Sequence, residues 1–329
     1  MKAAIVGMGG IAPIHVESLK TIGIPIVAVC DNKPHIASAF GKQLGCPYFT
    51  DYKAMLAAGG FDVLHICLPH YLHAPVAIEA LEKGINVICE KPMATTVEDA
   101  KNMIAASNKS GARLEIIYQN RYNPGSQAIK KTLDSGELGH VVSGFLHITW
   151  HRNEEYYTQS DWRGRWSTEG GGVLINQSIH TFDLMNYFLG NPTAVFGSVA
   201  NRAHPSIEVE DAAEGMIYYG DVGVSFYATN NHPYNAPVAL EIVCENGRVM
   251  LSGASASIAY NDGRQKSFPL DEKTVKIYGK DYWGYSHIVQ IEAFYKGTKE
   301  GVCGNEGLIT QKLINGIYDS SKLGHIVAL

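Results

Sequence analysis

The sequence predicts an α/β chain: a doubly wound parallel sheet in its first third, then an α+β portion built on a large, mostly antiparallel sheet. Three observations predict it. Strand-like and helix-like stretches alternate from Ala3 to Tyr118, which requires crossover connections and hence parallel strands. Strand-like runs then follow one another with few helices between the later ones, the mark of antiparallel pairing. The 329 residues exceed one ordinary core and suit two. The expected division is 1–121 and 122–329, joined by a continuous crossover, with a last helix free to pack back toward the first domain.

Each element has a local reason. Ala3–Val6 is an apolar run that stops at Gly7, and a helical stretch follows from Ile11 to about Lys20. Ile26–Cys30 reads as the second strand. Pro34 suits the first turn of the next helix and Gly45 lies past its end. Asp51 can cap a short helix that stops at Gly59-Gly60. Val63–Leu68 is a strand, and His73 to Lys83 is helical with Gly84 at its end. Asn86–Cys89 is a strand. Thr95 and Glu98 have capping-box spacing ahead of a helix that runs to Gly111, and Leu114–Tyr118 is strand-like. Later strands are expected at 141–150, 194–200, 213–219, 223–229 and 238–244, with an Asn246-Gly247 hairpin signal and two late helices near 285–295 and 307–321.

Composition excludes several classes. Hydrophobic residues make up 46% and charged residues 18%, which is globular and not disordered. Net charge is −5, from 27 basic and 32 acidic residues, so no nucleic-acid or anionic-membrane partner is expected. No apolar run approaches the roughly 20 residues of a membrane span. The N-terminal apolar run is too short for a signal-peptide core, so a cytoplasmic location is the expectation. Six cysteines include no Cys-x-x-Cys pair, and Cys30, Cys67 and Cys89 read as buried core thiols.

Gly7-Met8-Gly9-Gly10-Ile11-Ala12 matches G-x-G-x-x-A between a strand and a helix, the setting of a dinucleotide turn. Gly7 permits the tight turn, Gly9 lets the backbone approach a pyrophosphate, and Ala12 allows close helix–strand packing. The helix N-terminus offers free N–H groups to phosphates. Asp31, beside Asn32, lies 24 positions after Gly7 (31 − 7), where a carboxylate accepts ribose hydroxyls and repels a 2′-phosphate. These features point to a Rossmann domain that binds NAD, favoured over NADP, although Lys33 lies close by. Asp31 also reads as a helix cap ahead of Pro34. Glu90-Lys91-Pro92 ends the Asn86–Cys89 strand, and strand carboxyl ends face the ligand crevice.

The glycine turn, Leu68-Pro69-His70-Tyr71-Leu72-His73, Glu90-Lys91-Pro92 and Gly170-Gly171-Gly172 followed by His180-Thr181-Phe182-Asp183 occur in one order and spacing. That combination resembles the Gfo/Idh/MocA family of oxidoreductases over essentially the whole chain, including the ending Ile317–Gly324. The resemblance implies an open antiparallel sheet in the second domain and catalytic roles for Lys91 and His180. Histidine titrates near neutrality and suits the general base that takes the proton of a secondary alcohol, while Lys91 would orient the oxygen and stabilise its charge. His180 alone would read as an ordinary helix-start histidine. Many members carry aspartate four positions before the catalytic histidine. Here Asn176 stands there, and an amide can bond a sugar hydroxyl but cannot act as a base.

On this reading Gly7, Met8, Gly9, Gly10, Ile11, Asp31, Asn32, Leu68, Pro69, His70, His73, Glu90, Lys91, Asn120, Trp162 and Arg163 are the expected cofactor contacts. Lys91, Tyr122, Arg152, Tyr157, Asn176 and His180 are the expected substrate contacts. The expected activity is NAD(P)-dependent hydride transfer to or from a secondary alcohol or ketone of a sugar, sugar derivative or cyclic polyol. Redox-neutral, NAD-dependent glycoside cleavage and a non-catalytic NAD-binding regulator are the alternatives. No metal is expected. A homodimer or homotetramer through the second-domain sheet is expected because open sheets need covering.

Overall fold

The computed structural model describes residues 1–253, 255–269, 284–298 and 301–329. The chain divides into two units: the described residues of Met1–Gln119 with Lys273–Leu308, and those of Asn120–Glu272 with Ile309–Leu329. The expected second domain ran unbroken from 122 to 329, whereas the described stretches 284–298 and 301–308 belong to the first unit. Among the described residues no helix is long and apolar enough to cross a membrane.

The first unit runs β1 (Ala3–Val6), α1 (Ala12–Thr21), β2 (Ile26–Cys30), α2 (Pro34–Leu44), β3 (Tyr48–Phe49), α3 (Tyr52–Ala58), β4 (Val63–Ile66), α4 (His73–Glu82), β5 (Asn86–Cys89), α5 (Val97–Ser110) and β6 (Leu114–Ile116). The strands form one parallel sheet in the order β3-β2-β1-β4-β5-β6. This is the doubly wound Rossmann order, in which ligands bind beyond the strand carboxyl ends where the order reverses, next to β1. β1 and β4 are wholly buried, as strands covered on both faces must be. The capping box falls one residue later than the sequence suggests. Thr96, not Thr95, caps α5, accepting the Asp99 N–H and donating its hydroxyl to the Asp99 carboxylate. Two adjacent threonines offer the same side chain, and only the backbone turn selects between them. Cys30, Cys67 and Cys89 are buried. The helix Gly284–Lys296 packs along α1, adding Ile291 and Phe294 to the core built on Ile5, Val16, Leu19 and Val29.

The second unit contains α6 (Pro124–Asp134), β7 (Val141–Thr149), α7 (Glu154–Thr158), a π-helical stretch (Val173–Ser178) that runs straight into α8 (Ile179–Leu189), then β8 (Ala194–Ala200), β9 (Ala212–Tyr219), β10 (Val222–Thr229), β11 (Ala239–Cys244), β12 (Gly247–Ser252), β13 (Ser255–Tyr260), β14 (Gln265–Phe268) and β15 (Val327–Ala328). They make a nine-stranded sheet, β14-β13-β12-β11-β7-β10-β9-β8-β15. Every pairing is antiparallel except β7 with β10. The β11–β12 turn falls one residue earlier than its Asn-Gly pair suggests. Cys244 already pairs with Gly247, so Glu245 and Asn246 form the turn and Gly247 opens the next strand. A Cβ on Gly247 would stand 2.3 Å from the Ala259 carbonyl, so the glycine serves the neighbouring strand and not the turn.

Candidate active site

In the first unit the expected cofactor residues gather at the carboxyl ends of β1, β2, β4 and β5. Gly7 has φ 84°, and a Cβ there would stand 2.4 Å from the Cys67 carbonyl oxygen, so the turn admits only glycine. Gly9 and Gly10 are exposed, with open space where a side chain would begin. No side chain of Ile11 caps α1, and its first turn holds no acidic residue. A bare helix N-terminus behind two side-chain-free residues fits the pyrophosphate of a dinucleotide. Asp31 Oδ2 accepts the Met8 N–H at 2.9 Å and its Oδ1 accepts the Lys33 N–H at 2.9 Å. The acid that would read the ribose therefore also fastens the glycine turn to β2. Asn32 is exposed beside it, and Leu68 and Pro69 are half-buried after β4.

Glu90 and Lys91 follow β5, and the Lys91–Pro92 peptide is cis. Lys91 is partly exposed between two buried neighbours. Glu90 Oε2 accepts the Lys91 main-chain N–H at 3.2 Å. Its Oε1 accepts His15 Nε2 at 2.9 Å and His287 Nε2 at 3.3 Å. Burial alone would raise the Glu90 carboxyl, but these two donors outweigh it and hold the group well below the usual range. The ligating atoms of His15, Glu90 and His287 lie within 4.8 Å of one another, the one such set among the described residues. The two histidine–carboxylate separations, 2.9 and 3.3 Å, are N–H···O distances.

In the second unit the stretch 171–180 is buried throughout except at Asn176 and His180. Positions four apart share one helical face, so both side chains emerge together. The fold there is held by a carboxylate on another segment. Glu210 Oε2 accepts the Gly172 N–H at 2.9 Å, its Oε1 the Leu174 N–H at 3.0 Å, and its carbonyl the Val173 N–H at 3.1 Å. It thus satisfies three donors that a helix start leaves open. The Tyr318 hydroxyl adds a fourth bond to Oε1 at 3.0 Å. Burial pushes the Glu210 carboxyl up to about 7 against the bonds from Leu174 and Gly172, which favour the anion. Asp183, three residues past His180, accepts a bidentate bond from Arg121 at 2.7 Å on each oxygen and one from Thr310 at 3.0 Å. It anchors α8.

Asn176 has a physical reason. Its Nδ2 donates to Glu169 Oε1 at 2.6 Å, and Glu169, itself buried, accepts the Gly164 N–H on its other oxygen. An aspartate at 176 would set a second carboxylate against the first. Asn176 Nδ2 also reaches the Tyr156 hydroxyl at 3.4 Å, and Gln177 Nε2 reaches it at 3.1 Å. The guanidinium groups of Arg152 and Arg163 stack on the Tyr156 ring, 5.1 and 4.5 Å from its centre. Arg163 also lies 5.0 Å from the centre of the Trp162 ring.

Among the expected contact residues, Gly7, Met8, His70, His73, Glu90 and Tyr157 are buried. Tyr157 is buried, its hydroxyl accepting from Asn230 Nδ2 at 2.9 Å, and the ring beside Asn176 is Tyr156. His73 is fully buried, with Nδ1 2.7 Å from the Pro92 carbonyl and Nε2 2.8 Å from that of Leu68, so it ties two loops together. His70 is buried in the 3₁₀ turn after Pro69. Asn120 and Tyr122 are half-buried at the head of the second unit. Sequence reading missed Glu169, Glu210, Tyr156, His15 and His287. Glu210, Tyr156, His15 and His287 act through residues distant in sequence, and Glu169 acts through Gly164 and Asn176 at spacings that belong to no regular element.

Residues 1–118 match a family profile described as an oxidoreductase family with an NAD-binding Rossmann fold, and residues 126–250 match the GFO/IDH/MocA C-terminal domain. The chain is 32% identical to the D-glucoside 3-dehydrogenase of Escherichia coli (strain K12), over all of this chain and 97% of that protein. It is 26% identical to an inositol 2-dehydrogenase of Rubrobacter xylanophilus, over 77% of this chain and 72% of that protein. The WlbA dehydrogenase of Bordetella pertussis, solved in complex with NADH and UDP-GlcNAcA, superposes with a TM-score of 0.86 at 29% identity, over all of this chain and 98% of that one.

Proposed function

The chain belongs to the Gfo/Idh/MocA family of oxidoreductases and is an NAD-dependent dehydrogenase acting on CH–OH groups; from that premise we propose that it moves hydride between NAD and a secondary alcohol or ketone of a sugar, glycoside or cyclic polyol, with Lys91 and His180 handling the proton. The dinucleotide supplies the hydride acceptor. His180 takes the hydroxyl proton as general base, since an imidazole is half-ready to do so near neutrality. Lys91 donates a hydrogen bond to the same oxygen and stabilises the charge that develops as the proton leaves. Asn176, on the face of His180, bonds a neighbouring hydroxyl and orients the ring.

The observation that carries this reading is the pairing of Asn176 with His180 as the two accessible positions of an otherwise buried stretch. Polar side chains brought to the surface from a buried helix, and braced by Glu169 and Glu210, are placed for contact and not for packing. The relatives add support: the E. coli relative is a D-glucoside dehydrogenase and the R. xylanophilus relative an inositol dehydrogenase. The test is a nicotinamide absorbance screen with NAD against D-glucose, methyl β-D-glucoside, D-glucuronate and myo-inositol. One of them should be turned over. Lys91→Ala and His180→Ala should each lower kcat by roughly 10²–10⁴-fold, and His180→Ala should leave NADH binding, followed by fluorescence, intact. Full activity in either variant would remove that residue from the mechanism.

A further inference from the structure

Around Glu90 the first unit buries a connected array of ionisable side chains from four elements. His15 comes from α1, His65 from β4, Glu90 from the end of β5, and His287 and Tyr295 from the helix Gly284–Lys296. His15 Nδ1 lies 2.9 Å from His65 Nδ1, and His65 Nε2 lies 3.0 Å from the Tyr295 hydroxyl. The chain of bonds therefore reads Tyr295–His65–His15–Glu90, with His287 as a second arm on Glu90. His15, His65 and His287 are each 0–1% exposed, so water does not supply these partners.

Glu90 is an anion and only accepts. His15 Nε2 must then carry a proton. Burial, with His15 beside it, holds His65 well below the ordinary histidine range, so His65 is neutral and has a single N–H. His15 Nε2 donates to Glu90, and the Nδ1–Nδ1 and Nε2–hydroxyl separations carry the connection on to His65 and Tyr295. The array converges on one carboxylate, whose remaining oxygen accepts the main-chain N–H of Lys91.

Stability alone does not explain such a site. Replacing buried ionic groups by apolar ones of the same volume is often neutral or stabilising. We propose that Glu90 is the positioning residue for Lys91, and that His15 and His287 are the clamps that hold its carboxylate in the one orientation that fixes the lysine. The inference rests on the catalytic reading of Lys91. A lysine has a long, freely rotating stem, and a catalytic ammonium must stand within about 0.5 Å of its working place. Pinning the Lys91 main chain from Glu90, and Glu90 from both sides, removes the freedom that begins at the backbone. The helix Gly284–Lys296 is thereby part of the catalytic apparatus, through His287.

The experiment compares His287→Leu, His287→Gln and Lys91→Ala with the wild-type protein. The probe is whichever of the four screened sugars is oxidised fastest, and NADH fluorescence gives cofactor affinity. Loss of a supporting partner of this kind typically costs 10–100-fold, so His287→Leu should lower kcat by roughly that factor with KM and the NADH Kd within about 3-fold. His287→Gln restores an N–H near the position of Nε2 and should recover most of the loss. The inference is overturned if His287→Leu keeps wild-type kcat. It is also overturned if Leu and Gln variants fall alike, in proportion to the folded fraction seen in urea. If Lys91→Ala keeps its activity, the catalytic reading of Lys91 fails and the array loses its client. If Lys91→Ala is inactive while His287→Leu is not, Lys91 stands and the clamp is wrong.

Discussion

Glu210 gives the second unit an unusual dependence on pH. Its carboxyl titrates near 7 in the fold, against about 4.5 in the unfolded chain. A group whose pKa is raised by folding contributes stability below its unfolded pKa and loses that contribution as pH rises through its folded pKa. Between those values the native state holds a proton that the unfolded state has released, so the slope is about −1.4 kcal/mol per pH unit. Integrating the two titrations, the contribution falls by about 2.5 kcal/mol from pH 5 to pH 8. Glu210→Gln removes the titration while keeping the side-chain size. Urea unfolding of both proteins, followed by tryptophan fluorescence, should be run at pH 5, 6, 7 and 8. Other titrating groups cancel in the difference between the two proteins. The wild type should lose ground to the variant by about 2.5 kcal/mol across that range, mostly before pH 7. Parallel pH curves would refute the reasoning, and so would a difference growing in the opposite sense, which would mean that the N–H donors of Gly172 and Leu174 outweigh burial.

Two further outcomes follow from the geometry. Asp31→Ala removes one charge-assisted bond to the glycine turn, from the Met8 N–H, and a second from the Lys33 N–H, each worth roughly 1.5–3 kcal/mol; NADH affinity should fall at least about tenfold, and discrimination against NADPH should narrow, both read by fluorescence titration, with unchanged affinity counting against the dual role of this acid. Gly172→Ala would set a Cβ 1.9 Å from the Glu210 carbonyl oxygen; the displaced helix start should cost more than about 4 kcal/mol, seen as loss of the cooperative unfolding transition or of soluble protein.

The parts legible in the sequence were those whose physics is contiguous. Gly7 to Ala12 states its own backbone requirement, Asp31 follows one helix later, and Glu90-Lys91-Pro92 ends a strand that Val87 and Ile88 make evident. Register is not contiguous. Nothing local in Val222–Thr229 says that it lies parallel to Val141–Thr149 while its other neighbour is antiparallel. Tyr156 and Tyr157 show the limit at single-residue scale: both sit on a five-residue helix, where one position turns a side chain by about 100°, and the sequence offers the same ring twice. The Glu90 array draws on His15 and His287, which are 272 residues apart (287 − 15) and belong to no shared motif. Asn176 looked like a departure from the family pattern and became intelligible only with Glu169 beside it.

The single parallel pairing in the nine-stranded sheet has a consequence for how this molecule can diverge. Because β7 and β10 run the same way, the connections that follow them leave from the same end, and they stay laced together. The Trp150 N–H bonds the Thr229 carbonyl, the Arg152 N–H that of Asn230, and the His232 N–H that of Trp150. Arg152 and Tyr156 ride on one of these connections, and Asn230, which bonds both Tyr157 and Gln177, on the other. Sequence change there alters side chains around Asn176 while the ladders of the sheet, fixed upstream of Thr149 and Thr229, keep their register. On the proposed reading of Asn176, taste for a new ring can thus be acquired in these two connections, with the load of folding carried elsewhere.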